Sequence, residues 1–212
     1  MSLKKKICIV DYGFGNISSL ENTLNYLQLD YTTLKKPKNL NQFSHLFLPG
    51  VGSFEAGIKK LKKLNWDHEI KEFANSGGYI FGICLGMQLL FKRGTNEKTS
   101  EEIDGLGILD GKCEKFFKNN LKYKLPLPHV GFNSVEINRS RVWQKVNNPA
   151  FFYFIHSFRI KNANKTYLKS FTYYGEKFIS FIENSNIFAS QFHPEKSHSS
   201  GLKLIENFCK LK

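Results

Sequence analysis

A cysteine with a glycine two residues before it and another two residues after it indicates covalent chemistry in this chain. The segment Gly82-Ile83-Cys84-Leu85-Gly86 follows an apolar run at 77–81 and precedes an amphipathic stretch at 87–91. We therefore expect a buried strand that ends in a tight turn at Cys84 and continues directly into a helix, as in a nucleophile elbow. The glycines permit a strained turn, and the N–H groups at a helix start stabilise a thiolate. Cys84 is the predicted nucleophile.

A cysteine nucleophile requires a general base and a group that orients this base, and both are present near the end of the chain. Residues 187–192 have the pattern of a strand, and His193-Pro194-Glu195 follows directly. Pro194 ends the strand with its fixed φ, so one rigid residue separates the imidazole of His193 from the carboxylate of Glu195. The carboxylate is then able to turn back and orient the imidazole. We predict a catalytic triad of Cys84, His193 and Glu195.

With these two motifs the chain resembles the class I (triad-type) glutamine amidotransferases. It is most similar to the glutaminase subunits of imidazole glycerol phosphate synthase and their paralogues. The resemblance covers nearly the whole chain. The narrower likeness lies in five further segments: 11–16 (DYGFGN), 48–54 (LPGVGSF), 105–109 (GLGIL), 128–133 (PHVGFN) and 153–158 (YFIHSF).

This resemblance implies a defined activity and a defined partner. The chain would hydrolyse L-glutamine to glutamate and ammonia through a thioester on Cys84, with no cofactor. The ammonia would pass through a channel to a separate (β/α)8-barrel cyclase subunit in a heterodimer. There it would serve to form imidazole glycerol phosphate and aminoimidazole carboxamide ribotide in histidine biosynthesis.

The resemblance also implies roles for individual residues. Two glycines in the segment 49–52 free the backbone to direct N–H groups at a ligand, and a tetrahedral oxyanion needs two such donors. The expected donors are Val51 or Gly52 and, from the elbow, Leu85. Glutamine-binding residues are expected at Gly50, Gln88, Glu102, His156, Ser157 and Phe158. Glu97 and Glu101 compete with Glu102 for the role of the acid that contacts glutamine.

Surface residues near the partner are expected at Asn16, Phe132, Asn133 and Tyr153. Two positions depart from the family's usual pattern, because Phe132 stands where tryptophan is common and Phe158 where tyrosine is frequent. Some bacteria carry paralogues of this subunit that supply ammonia for amidation of a surface-polysaccharide sugar, and this remains an alternative. A hydrolase acting without a partner and a non-catalytic regulatory subunit are two further hypotheses.

The composition predicts one domain over residues 1–212, located in a reducing cytoplasm. Of the 212 residues 41% are hydrophobic, which suffices for one large core. No run approaches the length of a membrane span, and the lysine-rich start lacks the pattern of a signal peptide. Four cysteines without C-x-x-C spacing argue against a zinc site and a disulfide scaffold, and we expect no metal. Cys8, Cys113 and Cys209 lie in apolar surroundings and are expected to be buried.

The net charge of +13 suggests nucleic acid as a partner, but no motif supports this. The densest lysine cluster, at 59–63, lies on one face of a predicted amphipathic helix, and such faces are usually solvated. No nucleic-acid-binding module is recognisable. We expect no nucleic acid and no membrane as partners. A basic rim that attracts an acidic or phosphorylated substrate to the complex remains a secondary hypothesis.

Strands and helices alternate in the first half of the chain, which predicts a parallel sheet with helices on both faces. The expected fold is an open, mainly parallel α/β sheet of the flavodoxin-like type, with a C-terminal antiparallel β extension. Ligands bind at the carboxyl ends of the strands in such sheets. Predicted strands are 7–10, 45–48, 79–83, 112–118, 130–137, 150–161, 167–174, 178–183 and 187–192. Predicted helices are 17–27, 54–64, 67–75 and 201–211.

Overall fold

A computed structural model describes residues 6–116 and 125–212 of the chain. Within these ranges a single large sheet is flanked by helices. The strands are β1 (Ile7–Val10), β2 (Tyr31–Leu34), β3 (His45–Gly50), β4 (Tyr79–Cys84), β5 (Phe91–Thr95), β6 (Glu102–Asp104), β7 (Leu109–Lys115), β8 (His129–Val135), β9 (Ala150–His156), β10 (Phe158–Ala163), β11 (Leu168–Tyr174), β12 (Glu176–Asn184) and β13 (Ile187–Ser190). The helices are α1 (Ile17–Tyr26), α2 (Phe54–Lys63), α3 (Trp66–Asn75), α4 (Leu85–Leu90) and α5 (His198–Cys209), with short 3-10 turns at Leu40–Gln42, Arg141–Trp143 and Pro194–Lys196.

The strand order of the large sheet is β2-β1-β3-β4-β13-β12-β10-β7-β5-β6, with β11 paired to β12. Strands β2, β1, β3, β4 and β13 run parallel to one another, and β12, β10 and β7 continue the sheet from β13 in antiparallel pairs. Gly50 at the end of β3 is the register partner of Cys84 at the end of β4. Ser190 on β13 pairs with Ile83. Three chain segments therefore end side by side at one edge of the sheet.

Helices cover both faces of the parallel strands because each helix has one apolar face. On one face α2 buries Phe54, Ile58 and Leu61, which are spaced at helical intervals, and α3 adds further apolar side chains. Leu20 and Leu24 of α1 pack on the opposite face together with three residues of α5, namely Leu204, Ile205 and Phe208. The alternating side chains of β1 and β3 divide between the two cores, as period-two strands require.

The predicted α/β class with a mainly parallel central sheet and added antiparallel strands is confirmed. The antiparallel strands do not end the chain, since β13 and α5 follow them and return to the parallel part. Short strands β2, β5 and β6 were absent from the prediction because three to five residues with mixed polarity carry no clear period. The predicted strand 150–161 is two strands, β9 and β10, which separate at Ser157 and pair with different neighbours.

A separate two-stranded sheet, formed by β8 and β9, lies against the edge where β4 and β13 end. Tyr153 on β9 forms a β-bridge with His193, so the small sheet is tied directly to the end of β13. The predicted strand 112–118 extends into residues 117 and 118, which lie outside the described ranges. Among the described residues no helix combines the length and apolar character needed to cross a membrane.

Candidate active site

Cys84 occupies a strained turn between β4 and α4. Its φ of 53° and ψ of −107° fall outside the regions that non-glycine residues favour. The side chain is nearly buried, with 5% exposed. Leu85 is the first residue of α4, so its N–H belongs to the helix-start donors that have no intrahelical acceptor. The predicted nucleophile elbow is therefore present in the backbone.

The two glycines of the elbow are required by close approach of the backbone. A Cβ at Gly86 would lie 1.7 Å from the carbonyl oxygen of Leu48 on β3. One at Gly82 would lie 2.9 Å from the backbone nitrogen of Met87. Because both glycines lack a side chain, α4 packs directly on β3 and β4. Cys84 at the end of β4 then lies beside Gly50 at the end of β3.

His193 and Glu195 form a buried pair next to the thiol. The Nδ1 atom of His193 and the Oε1 atom of Glu195 are 2.7 Å apart, and both side chains are at most 3% exposed. Pro194 is the first residue of a 3-10 turn, which brings the carboxylate back onto the ring. The backbone of His193 is held by Tyr153, whose carbonyl accepts its N–H at 2.9 Å, and by the hydroxyl of Ser197, which donates to its carbonyl at 2.5 Å.

The electrostatics of His193 favour its protonated, imidazolium form. Burial of the ring opposes its charging, but the negative charge of Cys84 and the carboxylate of Glu195 outweigh this and raise the pKa of His193 to about 10. The second ring nitrogen, Nε2, is buried and has no hydrogen-bond partner among the described residues. It is thus available to exchange a proton with the sulfur or with a bound substrate.

Gln191 contacts the thiol, although the sequence analysis did not assign it a site role. Its Nε2 donates to the sulfur of Cys84 at 3.6 Å, and its Oε1 accepts from Nε2 of Gln88 at 3.0 Å. Gln191 is fully buried and Gln88 nearly so. A buried amide two residues before His193 was the available signal, because a polar side chain in an apolar strand requires partners. Gln88 therefore contacts Gln191, and Gln191 in turn contacts the sulfur of Cys84.

The oxyanion turn, the segment 50–52 that carries expected oxyanion donors, has one of these N–H groups already hydrogen-bonded. The N–H of Val51 donates to the carbonyl oxygen of Phe14 at 2.5 Å and is therefore already engaged. Gly52 follows with a φ of 112°, which glycine adopts without strain. The sequence pattern did not predict this hydrogen bond, since such patterns carry no information on peptide orientation.

The three candidate acids lie in different surroundings. The carboxylate of Glu102 on β6 accepts from Nζ of Lys112 at 2.7 Å, and its side chain is 53% exposed. These contacts do not bring Glu102 to the cysteine. Glu97 instead lines a cavity of about 400 Å³. Ser53, the residue directly after the oxyanion turn, lines the same cavity. The position of Glu97 depends on how the loop between β5 and β6 folds, and the sequence pattern does not predict this. The lining of the cavity comprises Ser53, Glu55, Ala56, Lys59, Asn96, Glu97, Lys98 and Thr99.

Ile155, the residue before the segment 156–158, contacts the thiol through its backbone carbonyl, whereas the imidazole of His156 does not. The thiol of Cys84 donates to the carbonyl oxygen of Ile155 at 3.8 Å. The ring of His156 is engaged elsewhere, with its Nε2 atom 3.0 Å from Nδ1 of His129. Burial lowers the pKa of His156 to about 3, so this ring stays neutral. Ser157 accepts a backbone hydrogen bond from Phe116, and the half-buried Phe158 begins β10.

The outer face of the small sheet is apolar and exposed. Phe132 on β8 stands opposite Tyr153 on β9, and their rings are 5.7 Å apart. Phe132 also stacks on His198, the first residue of α5, which begins three residues before the predicted helix 201–211. The side-chain amide of Asn133 donates a hydrogen bond to the carbonyl oxygen of Tyr173 at 3.0 Å. Further exposed apolar residues of this face are Val130, Phe151 and Ile155. The face lies on the reverse side of strands that contact Cys84.

Asn16, the remaining interface candidate, directly precedes α1 at the N-cap position and makes no capping hydrogen bond.

The other three cysteines are buried, as expected. Burial raises the pKa of Cys8 to about 12 and that of Cys113 higher still, so both remain thiols. Within the described ranges no group of three or more His, Cys, Asp or Glu side chains is arranged to hold a metal ion.

Comparison with known proteins gives consistent matches over nearly the full chain. A sequence model described as "Glutamine amidotransferase class-I" matches residues 8–211. "Imidazole glycerol phosphate synthase subunit HisH 1" of Campylobacter jejuni subsp. jejuni serotype O:23/36 (strain 81-176) is 40% identical over 208 residues, which are 97% of this chain and 100% of that protein. "Imidazole glycerol phosphate synthase subunit HisH" of Helicobacter hepaticus is 37% identical over 227 residues, covering 98% and 99%.

Solved structures match the fold at low sequence identity. A crystal structure described as a glutamine amidotransferase superposes with a TM-score of 0.73 at 17% identity. The superposition covers 95% of this chain and 96% of the other. This likeness concerns the arrangement of strands and helices alone.

Proposed function

The chain belongs to the class I glutamine amidotransferases, and we propose that it is the glutaminase subunit of an imidazole glycerol phosphate synthase. The observation that carries the proposal is the strained Cys84 elbow set against the buried pair of His193 and Glu195. A thiolate and an imidazolium in one site are suited to acyl transfer from a carboxamide.

In the first half of the proposed reaction, the thiolate of Cys84 attacks the side-chain carboxamide carbon of glutamine. The resulting oxyanion collapses, the C–N bond breaks, and the imidazolium of His193 transfers its proton to the departing nitrogen, which leaves as ammonia. The charge of Cys84 helps to hold the pKa of His193 at about 10. Bond formation at sulfur removes this charge, so the imidazolium becomes a stronger acid when the leaving group needs its proton.

In the second half, water hydrolyses the γ-glutamyl thioester. Neutral His193 accepts a proton from the water as its oxygen attacks the thioester carbon. The C–S bond then breaks, which restores the thiolate beside an imidazolium and releases glutamate. Glu195 keeps Nδ1 of the ring engaged at 2.7 Å, so that Nε2 performs both proton transfers.

Both tetrahedral steps require two N–H donors near the oxygen, and we assign these to Leu85 and to Val51 or Gly52. Because the N–H of Val51 donates to Phe14, the turn has to rearrange before it can serve. We therefore expect low turnover for the subunit alone and a large increase when a liganded partner stabilises the rearranged turn. Gly50, Gln88, the segment 156–158 and one acid are the proposed glutamine contacts. The acid is Glu102, Glu97 or Glu101; Glu97 shares a cavity with Ser53, and Glu102 pairs with Lys112.

The proposed partner is a (β/α)8-barrel cyclase that docks on the apolar face of β8 and β9. Support comes from four exposed apolar side chains on this face, at Val130, Phe132, Phe151 and Ile155, and from the contact between the Ile155 carbonyl of β9 and the sulfur of Cys84. Asn16, Asn133 and Tyr153 are proposed to lie at the same interface. Ammonia released at Cys84 then has a short path to the partner. A thiolate nucleophile requires reducing conditions, so the proposal places the reaction in the cytoplasm.

The test is glutamate formation from glutamine by the purified chain, alone and mixed with the histidine-pathway cyclase of the same organism and its nucleotide ligand. The proposal predicts strong stimulation by the liganded cyclase and no turnover for Cys84→Ala in the same mixture. Residual turnover of Cys84→Ala would refute the thioester. Labelling of Cys84 by a glutamine-analogue diazoketone without any stimulation would instead indicate another acceptor, such as one that amidates a surface-polysaccharide sugar.

A further inference from the structure

The hydroxyl of Tyr12 is buried beside the oxyanion turn without a partner. Tyr12 directly follows β1, its side chain is 1% exposed, and its Oη makes no hydrogen bond among the described residues. A buried hydroxyl without a partner destabilises the state in which it occurs. Such a group indicates either strain or a second state in which it finds an acceptor.

The surroundings of this hydroxyl connect it to the turn and the nucleophile. A Cβ built on Gly50 would lie 2.3 Å from Oη of Tyr12 and 2.9 Å from Cβ of Leu85. The ring of Tyr12 stacks on that of Phe14, with centroids 5.8 Å apart. Burial and the charge of Cys84 both raise the pKa of Tyr12, so the hydroxyl keeps its proton and acts as a donor.

Peptide geometry defines what this donor can do. The N–H of Val51 points to the carbonyl oxygen of Phe14, and in a planar trans peptide the Gly50 carbonyl points the opposite way. If the N–H is to donate to an oxyanion at Cys84 instead, the peptide must rotate, and a half-turn exchanges the directions of its N–H and its carbonyl. The Gly50 oxygen then points toward the Phe14 carbonyl, and two acceptors face each other unless a donor is supplied.

We propose that Tyr12 donates its hydroxyl proton to the Gly50 carbonyl oxygen in the active conformation of the turn, and that it is a positioning residue for the oxyanion donor. The unpartnered hydroxyl, its approach to Gly50 and the occupied N–H of Val51 carry this inference. It deepens the proposed function and rests on it. The hydroxyl has a partner only in the active state, so it shifts the conformational equilibrium toward that state.

The test variant is Tyr12→Phe, which removes one oxygen and retains the ring. In the free chain it should leave the melting temperature unchanged or higher, because the lost hydroxyl has no partner there. In the complex with the liganded cyclase it should lower kcat by about 10-fold, the effect of one net hydrogen bond made in the active state alone, and change KM for glutamine by less than about 2-fold. The rate of Cys84 alkylation by iodoacetamide, which uses no oxyanion donor, should stay unchanged. Tyr26→Phe, at a side chain that is 74% exposed, is the matched control.

Three results would overturn the inference while the proposed function stands: a kcat within about 2-fold of wild type, a clearly lower melting temperature of the free variant, or a slower alkylation of Cys84. The first shows that the hydroxyl does not stabilise the active turn. The second shows that it has a partner in the resting state, and the third that it acts on the sulfur. Absence of turnover in the wild-type complex would refute the proposed function, and this inference with it.

Discussion

The electrostatic link between Cys84 and His193 can be tested by replacing the sulfur with oxygen. In Cys84→Ser the side chain keeps its shape but stays uncharged, so the ring of His193 loses the anion that contributes most to its raised pKa. The rise from 6.5 to about 10 corresponds to about 5 kcal/mol of interaction with its two anionic neighbours beyond the cost of burial. Glu195 alone then opposes burial, and we expect the pKa of His193 to fall by at least about 2 units.

The assay is an NMR pH titration of the His193 ring carbons in labelled wild-type and variant chains. A raised folded-state pKa means that the charged ring stabilises the fold fully below pH 6.5, and that this contribution is lost as the pH rises through about 10. In Cys84→Ser the loss should be complete at a lower pH. Cys209→Ser, on α5, serves as the control and should leave the titration of His193 unchanged. A His193 pKa in Cys84→Ser within about half a unit of wild type would refute the ion pair.

Three further predictions concern the elbow, its amide neighbour and the docking face. Gln191→Leu removes the amide donor at the sulfur and should lower kcat by about 10- to 100-fold, whereas an unchanged kcat would exclude a role for the contact. Gly86→Ala should fail to give a folded chain by circular dichroism, because its Cβ would lie 1.7 Å from a β3 carbonyl oxygen. Gly107→Ala, at a site with open space and a φ of 68°, should cost only about 1–2 kcal/mol in a denaturant titration. Phe132→Asp should weaken binding of the cyclase by about 10-fold or more in calorimetry, while Leu168→Asp on β11 should leave the affinity at the wild-type value.

Much of the fold was predictable from local pattern. The strands β1, β3 and β4 and the helices α1 to α3 lie within a few residues of their predicted bounds, because each has a clear apolar period and a glycine or polar residue at its end. The short strands β2, β5 and β6 were not predicted, since their pairing depends on neighbours that are distant in sequence.

The prediction of the triad relies on residue spacing. Glycines flanking Cys84 and a proline between His193 and Glu195 restrict the local backbone so strongly that the turn and the hydrogen-bonded pair follow from a few residues. The binding residues were less accessible to this reasoning. Three glutamates, Glu97, Glu101 and Glu102, follow the elbow helix, and their surroundings depend on how the loop between β5 and β6 folds.

The sequence by itself determined the chemistry of the elbow and of the His-Pro-Glu turn, because these are short-range consequences of glycine and proline on the backbone. Tertiary structure alone decided which buried polar groups meet: Gln191 at the sulfur, Phe14 on the N–H of Val51, and the unpartnered hydroxyl of Tyr12 beside Gly50. These contacts join segments up to 107 residues apart. Their geometry is set by strand register and by the direction of single peptide planes, which no local residue pattern encodes.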